Sequence, residues 1–156
     1  PTGVFAIASL HRRTGTDIYE LEPIDTLTYG QNFYGKPAIA VEPRSGDPRV
    51  LVQFTNGILQ YSPSGTGWDS ISLSGSGYEP DLAVDTHNLR LFACYGDDAS
   101  GNAQELRVRV YNGSGWSVPE TVASFPGLRT EVHLHAAFAV NPATGSMGRS
   151  SKSVGL

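Results

Sequence analysis

Two stretches of the chain repeat the same order of short segments, and this repeat constrains the fold more than any other feature. Each copy opens on a proline that is followed, after two residues, by Ala-Val and an acidic residue, in 37–42 and 80–85. An apolar segment, a segment that ends in tyrosine and a Gly-Trp pair then follow in the same order. A repeat of about 45 residues with four such segments is typical of repetitive all-β folds.

The segments of each copy have the chemistry of β-strands. In 106–111 aliphatic residues alternate with arginines, which is the period-two pattern of a strand with one wet face. In contrast, 50–52 is apolar throughout, as expected of a strand that is covered on both faces. Glycines in the connecting segments favour tight hairpins. We therefore predict four short antiparallel strands in each copy.

Composition supports this prediction. The 156 residues include 18 glycines and 10 prolines, so turns are frequent and a helical bundle is excluded. A hydrophobic content of 39% is enough for a packed core. The net charge of −4 comes without a basic stripe, which argues against nucleic acid as a partner. The longest apolar runs fall far short of the ~20 residues of a membrane helix.

Partial copies flank the two complete ones. The opening element returns a third time at 135–142, and 4–10, 17–21 and 26–29 look like the second, third and fourth strands of a copy that lacks its first. We therefore predict one domain over 1–143, with full repeats at about 36–78 and 79–123 and partial repeats at 1–35 and 124–143. The Ser/Gly-rich segment 144–156 is expected to be a flexible tail.

The order Pro-x-[Leu/Ile]-Ala-Val-[Asp/Glu], apolar strand, strand ending in an aromatic residue and Gly-x-Gly-Trp resembles the blades of sialidase-like β-propellers and of bacterial and fungal propeller lectins. The resemblance covers roughly 36–122 and implies an all-β fold of antiparallel four-stranded blades. The strands suffice for about three blades, and a ring needs at least four. We therefore expect the ring to be completed by another chain, either a copy in a homo-oligomer or a different protein.

The sequence motifs and the resemblance together predict several ligand-binding side chains. Trp68 and Trp116 each follow Gly-x-Gly at a hairpin, where an indole either stacks on a sugar ring or packs between sheets. In propeller lectins of the fucose-binding type, an Arg on the second strand and a Glu on the third hold the sugar, and Arg90 and Glu105 look similar.

Two further arginines and one loop are candidates on their chemistry alone. Arg107 and Arg109 share one face of a strand, where they either clamp a carboxylate or only keep the surface soluble. One loop carries four side chains with the oxygen ligands that Ca²⁺ prefers, namely Asp97, Asp98, Ser100 and Asn102. The alternative is an ordinary solvated turn. No other cofactor is expected.

For two further groups, an ordinary structural role is the alternative to a functional one. His133 and His135 are two positions apart on one strand, so they either share a transition metal with a third ligand or are ordinary hydrogen-bonded histidines. Cys94 lies in an apolar strand, where a buried, unreactive thiol is the simplest interpretation and a reactive one the alternative.

Signals of catalysis are weak. The Asp-box of sialidases is not matched, because Ser64 stands where the aspartate belongs, and the sialidase arginine triad cannot be placed. The carboxylates Glu79, Asp81 and Asp85 keep a glycosidase pair open. Our leading hypothesis is a non-enzymatic carbohydrate-binding or adhesive propeller module. The alternatives are part of a sialidase-like glycoside hydrolase and a structural subunit of a surface filament or viral appendage.

The composition of charged and small polar residues predicts where the protein is located. Two lysines against nine arginines, with abundant Ser, Thr and Gly, favour a secreted protein or one on the surface of a cell or virion. The chain begins at Pro1 without a methionine or a leader, so we expect that it was processed or is a piece of a larger protein.

Overall fold

A computed structural model of the chain describes residues 7–13, 19–26, 33–55, 57–99, 103–126, 135–141, 143–144 and 147–152. These residues contain twelve β-strands and no helix, which confirms the all-β prediction. Within these ranges, then, no helix is long and apolar enough to cross a membrane.

The strands follow one another in chain order and pair with their neighbours in four antiparallel sheets. Sheet A is β1–β2, sheet B is β3 to β6, sheet C is β7 to β10 and sheet D is β11–β12. The strands are β1 Ile7–Arg13, β2 Tyr19–Thr26, β3 Phe33–Val41, β4 Pro48–Phe54, β5 Gly57–Ser64, β6 Gly67–Ser74, β7 Gly77–Asp85, β8 Arg90–Ala99, β9 Ala103–Tyr111, β10 Glu120–Pro126, β11 His135–Val140 and β12 Met147–Lys152.

Sheets B and C are the two complete repeats, and each is a simple meander of four strands. In the second repeat the Gly-Trp pair, which was expected in the fourth strand, lies before that strand. Trp116 forms only an isolated bridge with Tyr111, and the strand begins at Glu120. Pro119 immediately precedes this strand, and its lack of an N–H keeps the ladder from starting earlier.

The flanking segments also differ in detail from the predicted ones. Upstream of sheet B the described residues form the two strands β1 and β2, and the predicted strand at 26–29 lies, apart from Thr26, outside the described residues. Part of the predicted tail, 147–152, forms β12 and pairs in full register with β11. Asp97 and Asp98, predicted to lie in a loop, belong to β8 instead and pair with Glu105 and Gln104 of β9.

The sheets pack face to face, and three apolar clusters fill the spaces between them. The cluster between sheets B and C contains Leu51, Ile58, Leu73, Ala93 and Tyr95. A second cluster on the other face of sheet B receives Ile24 of sheet A, and a third on the other face of sheet C receives Val140 of sheet D. Sheets B and C are therefore each buried on both faces.

The second strand of each complete sheet lies at the centre of this stack. In β4 the five consecutive residues 50–54 are all buried, and in β8 the seven residues 91–97 are. A strand that is buried on both sides needs apolar side chains at successive positions, as the sequence of 50–52 predicted. The first strands of the sheets also contact one another, β3 against β7 and β7 against β11.

A buried polar side chain closes the turn between the first and second strands in both complete sheets. In sheet B the Glu42 carboxylate accepts hydrogen bonds from the backbone N–H groups of Arg44 and Ser45. In sheet C Asp85 accepts them from His87 and Asn88. Glu42 and Asp85 are both buried, and each of these buried carboxylates finds its hydrogen-bond partners in the turn.

The same turn device recurs at the end of β11. There Asn141 Oδ1 accepts a hydrogen bond from the backbone N–H of Ala143 at 2.9 Å. The repeated Ala-Val-[Glu/Asp/Asn] sequence thus encodes one local structure three times, at Glu42, Asp85 and Asn141.

Asp85 is the most strongly perturbed of these groups. Burial acts to raise its pKa, but hydrogen bonds from the Asn88 backbone and side chain and from the Arg90 guanidinium outweigh burial and hold the pKa well below its ordinary value. Arg90 Nη2 lies 2.8 Å from Asp85 Oδ2. The ionised form of Asp85 is therefore the form that stabilises the fold.

We expect Asp85→Asn to lower the melting temperature at neutral pH by roughly 5–10 °C, because it places an amide N–H₂ against the donors of Asn88 and Arg90. Asp69→Asn, a change at an exposed position of β6, is the matched control and should leave the melting temperature within about 1 °C of the parent.

The pH dependence follows from the lowered pKa. Asp85 contributes its full stabilisation above its unfolded pKa of about 4 and loses it as the pH falls towards the lower folded-state value. The difference in unfolding free energy between the parent and Asp85→Asn should therefore shrink below about pH 4 in urea titrations. A difference that stays constant down to about pH 2 would contradict this assignment.

Candidate functional site

An open cleft of about 480 Å³ lies at the end of sheet C where β8 begins and β9 ends. The residues that line it combine one indole, one guanidinium, one aliphatic side chain and several small polar groups. They are Arg90, Val110, Asn112, Ser114, Gly115, Trp116 and Ser117. Two of the predicted ligand-binding residues, Arg90 and Trp116, therefore meet in one cleft.

The turn that forms one wall of the cleft is held by its own hydrogen bonds. Asn112 Oδ1 accepts bonds from the backbone N–H groups of Ser114 and Gly115 and from Ser114 Oγ, at 2.8–3.2 Å. Gly113 has a φ of +97°, a left-handed conformation that a side chain disfavours. The wall is therefore set in shape before any ligand arrives.

Trp116 is fixed at the base of this wall. Its Nε1–H donates to Gln60 Oε1 of sheet B at 3.0 Å, and its ring lies 5.4 Å from that of Tyr111 at an angle of 56°. The indole also packs against the cluster between sheets B and C and is half-buried. The two interpretations of Trp116 are thus not exclusive, because the residue packs between sheets and also lines the cleft.

Arg90 also lines the cleft and is held there by Asp85 and Phe92. Its Nε and Nη2 both donate to Asp85 Oδ2, and its guanidinium carbon lies 5.3 Å from the centre of the Phe92 ring. The side chain is still 36% exposed. Because Nε and Nη2 make the bonds to Asp85, Nη1 takes no part in this ion pair.

Trp68 lies in a different environment. It belongs to β6, pairs with Pro63 of β5 and packs against the apolar cluster that receives Ile24. The two Gly-Trp motifs therefore share sequence but not position, since Trp68 is inside a strand and Trp116 precedes one.

The other predicted binding residues are engaged within the sheets. Arg107 pairs with Asp97 at 3.0 Å and with Glu105 at 2.9 Å. Arg109 donates to the carbonyl oxygens of Leu73 and Ser117, both at 2.7 Å. Arg107 therefore pairs with carboxylates of its own sheet, and Arg109 joins sheet C to sheet B.

The structure does not bring Arg90 and Glu105 together. Glu105 is paired with Asp97, and Arg90 begins the same strand seven residues earlier, which corresponds to about 23 Å along β8. The hydrogen bond from Arg107 is the largest cause that lowers the pKa of Glu105, and a bond from the Thr121 hydroxyl adds to it. Glu105 thus belongs to a different site from Arg90.

Of the predicted calcium ligands, Asp97 is buried and accepts a hydrogen bond from Ser76 Oγ in addition to its ion pair with Arg107. Asp98 is exposed, and Ser100, Asn102 and His133 lie outside the described residues. For His135 the structure describes the backbone alone. Across the part of the chain that is described, no group of three His, Cys, Asp or Glu side chains suits a metal ion.

Comparison of the chain with protein-family models, with curated proteins and with solved structures finds no match. Sequence reasoning missed Asn112, Ser114 and Ser117 as lining residues, although the Asn-Gly-Ser-Gly-Trp order places a tight turn beside an indole.

Cys94 is a buried thiol within the stack. Burial and the nearby Asp81 carboxylate raise the pKa of Cys94 to about 12. Because the thiolate is the reactive form, we expect no reaction of the native protein with a disulfide reagent at about pH 8 over hours, and one equivalent in denaturant. Rapid labelling of the native protein would show that sheet C opens readily.

Proposed function

We propose that this protein is a non-enzymatic carbohydrate-binding module of the β-propeller type that acts outside the cytoplasm. The observation that carries the proposal is the cleft that Trp116, Arg90 and the hydrogen-bonded turn at Asn112 line together. An indole beside converging hydrogen-bonding groups is the combination that sugar rings require, because a sugar has apolar C–H faces and a rim of hydroxyls.

The groups of the cleft have complementary tasks in this proposal. Trp116 offers apolar surface for the C–H face of a sugar ring. Arg90 Nη1 and the Asn112 side-chain N–H₂ donate to hydroxyl or carboxylate oxygens, and the Ser114 hydroxyl accepts. Since Trp116 and Asn112 are already fixed by Gln60 and by the turn, little side-chain entropy is lost when a ligand binds.

The Asp85 carboxylate, which binds Arg90 of the cleft, has an environment that favours ligand binding over hydrolysis as the function. Both Asp85 oxygens accept hydrogen bonds from Asn88, and one also accepts from Arg90, so this carboxylate is part of the fold. The pKa of Asp85 is held low, which is the opposite of what a general acid in a glycosidase requires.

The propeller arrangement is part of the proposal, and two features support it. The first strands β3, β7 and β11 contact one another in succession. Sheets B and C each pack one face on the preceding sheet and the other face on the following sheet. Four-stranded meanders that meet at their first strands and stack face to face are the blades of a propeller.

A leucine introduced at Gly115 tests the cleft directly. A Cβ at this position meets no atom within 4 Å, and the residue has no left-handed φ, so Gly115→Leu should fill the cleft and leave the fold intact. We expect the parent to bind at least one glycan on an array with micromolar affinity, and Gly115→Leu to weaken that binding by about 10-fold or more.

Gly67→Leu is the matched control, because Gly67 precedes Trp68 as Gly115 precedes Trp116 and an added Cβ there also meets nothing. This variant should bind the glycan as the parent does. Equal binding by the parent and Gly115→Leu, or product released from the bound glycan, would refute the proposed role of the cleft.

A further inference from the structure

The first strand of sheet B carries two exposed aliphatic side chains. Ile39 is 55% exposed and Val41 56% exposed, on the same face of β3. At the matching positions of the second repeat, Leu82 and Val84 of β7 are half-buried. The difference has a physical cause, since β3 contacts β7, whereas among the described residues no first strand precedes β3.

At the other end of the row of first strands, β11 also has a face that no first strand covers among the described residues. Ala83 of β7 is buried, with 8% of its surface exposed, and β7 contacts β11. The matching residue of β11, Ala139, is exposed. The row β3, β7, β11 therefore ends in an uncovered Ile39–Val41 face on one side and an uncovered Ala139 face on the other.

The two incomplete sheets are complementary as well. Sheet D consists of two strands, and its β11 contacts β7, so it supplies the first and second strands of a sheet. Sheet A also has two strands, and its β2 contacts β6, the fourth strand of sheet B. Sheet A thus takes the place of the third and fourth strands. A two-stranded sheet is at best marginally stable alone, whereas a sheet of four strands with a packed apolar face is stable.

We propose that two copies of this chain associate head to tail, with sheet D of one copy and sheet A of the other forming one composite four-stranded sheet. In this assembly β11 of one copy lies on Ile39 and Val41 of the other and continues the contacts that β3 makes with β7 and β7 with β11. Two such contacts give a ring of six first strands, within the range of closed propellers.

This inference rests on the propeller arrangement proposed above and is independent of sugar binding. The glycan experiment can therefore fail while association succeeds, and the reverse. The assembly would also remove the free edges of β1 and β12, which the described pairing leaves exposed to other strands.

Sedimentation of the parent and of two single variants tests the assembly. Ile39→Arg blocks the β3 face, and Ala139→Arg blocks the β11 face. We expect the parent to be a dimer at about 100 µM and each variant to dissociate at least 10-fold more readily. Ile71→Arg is the control, because Ile71 is 49% exposed but lies on the fourth strand of sheet B, away from the row.

A mixture of the two variants decides the geometry. Ile39→Arg keeps an intact β11 face and Ala139→Arg keeps an intact β3 face, so an equimolar mixture should form a one-to-one dimer at a concentration where each variant alone is mostly monomeric. This recovery also demonstrates that both variants are folded. A parent that is monomeric at about 100 µM, an Ala139→Arg variant that dimerises like the parent, or a mixture that stays monomeric would overturn the proposal.

Discussion

Burial of a sheet on both faces is the constraint on which the rest of the structure depends. Because β4 and β8 have no wet face, sheets B and C must each be covered twice, and the chain meets this need by stacking sheets A to D in order. Burial in turn requires polar groups to find partners inside the stack. The Trp116–Gln60 bond, the Arg109–Leu73 bond and the Arg49–Tyr111 bond all join sheet B to sheet C in this way.

These cross-sheet bonds also explain how packing positions the candidate site. Arg49 Nη2 donates to the Tyr111 hydroxyl, and its guanidinium lies 4.5 Å from the centre of the Tyr111 ring, which in turn contacts Trp116. Each of these side chains is oriented by a residue of the neighbouring sheet. The cleft is therefore a product of the interface between repeats as much as of the turn at Asn112.

The sequence was most informative where local chemistry decides the structure. The Ala-Val-acid motif and the apolar run at 50–52 identified the repeats and the strand buried on both faces, because period and turn chemistry are local properties. The sequence was less informative about Arg107 and Arg109. Arginines alternate with aliphatic residues in the same way whether they face solvent or contact partners such as Asp97 and the Leu73 carbonyl. The different places of Trp68 and Trp116 depended on Pro119. The hydrogen bond between Trp116 and Gln60 depended on a contact between neighbouring sheets whose partners lie 56 positions apart in the chain.

The meander order of sheets B and C has a consequence for how the chain acquires its structure. Every strand of a meander pairs with the strand before or after it, so each sheet closes only short loops as it forms. Nucleation can then begin in either repeat and spread by nearest-neighbour docking, as in other repeat architectures. Rapid early protection of amides in 33–64 and 77–111, followed by slower protection between sheets, is the kinetic signature of such a chain.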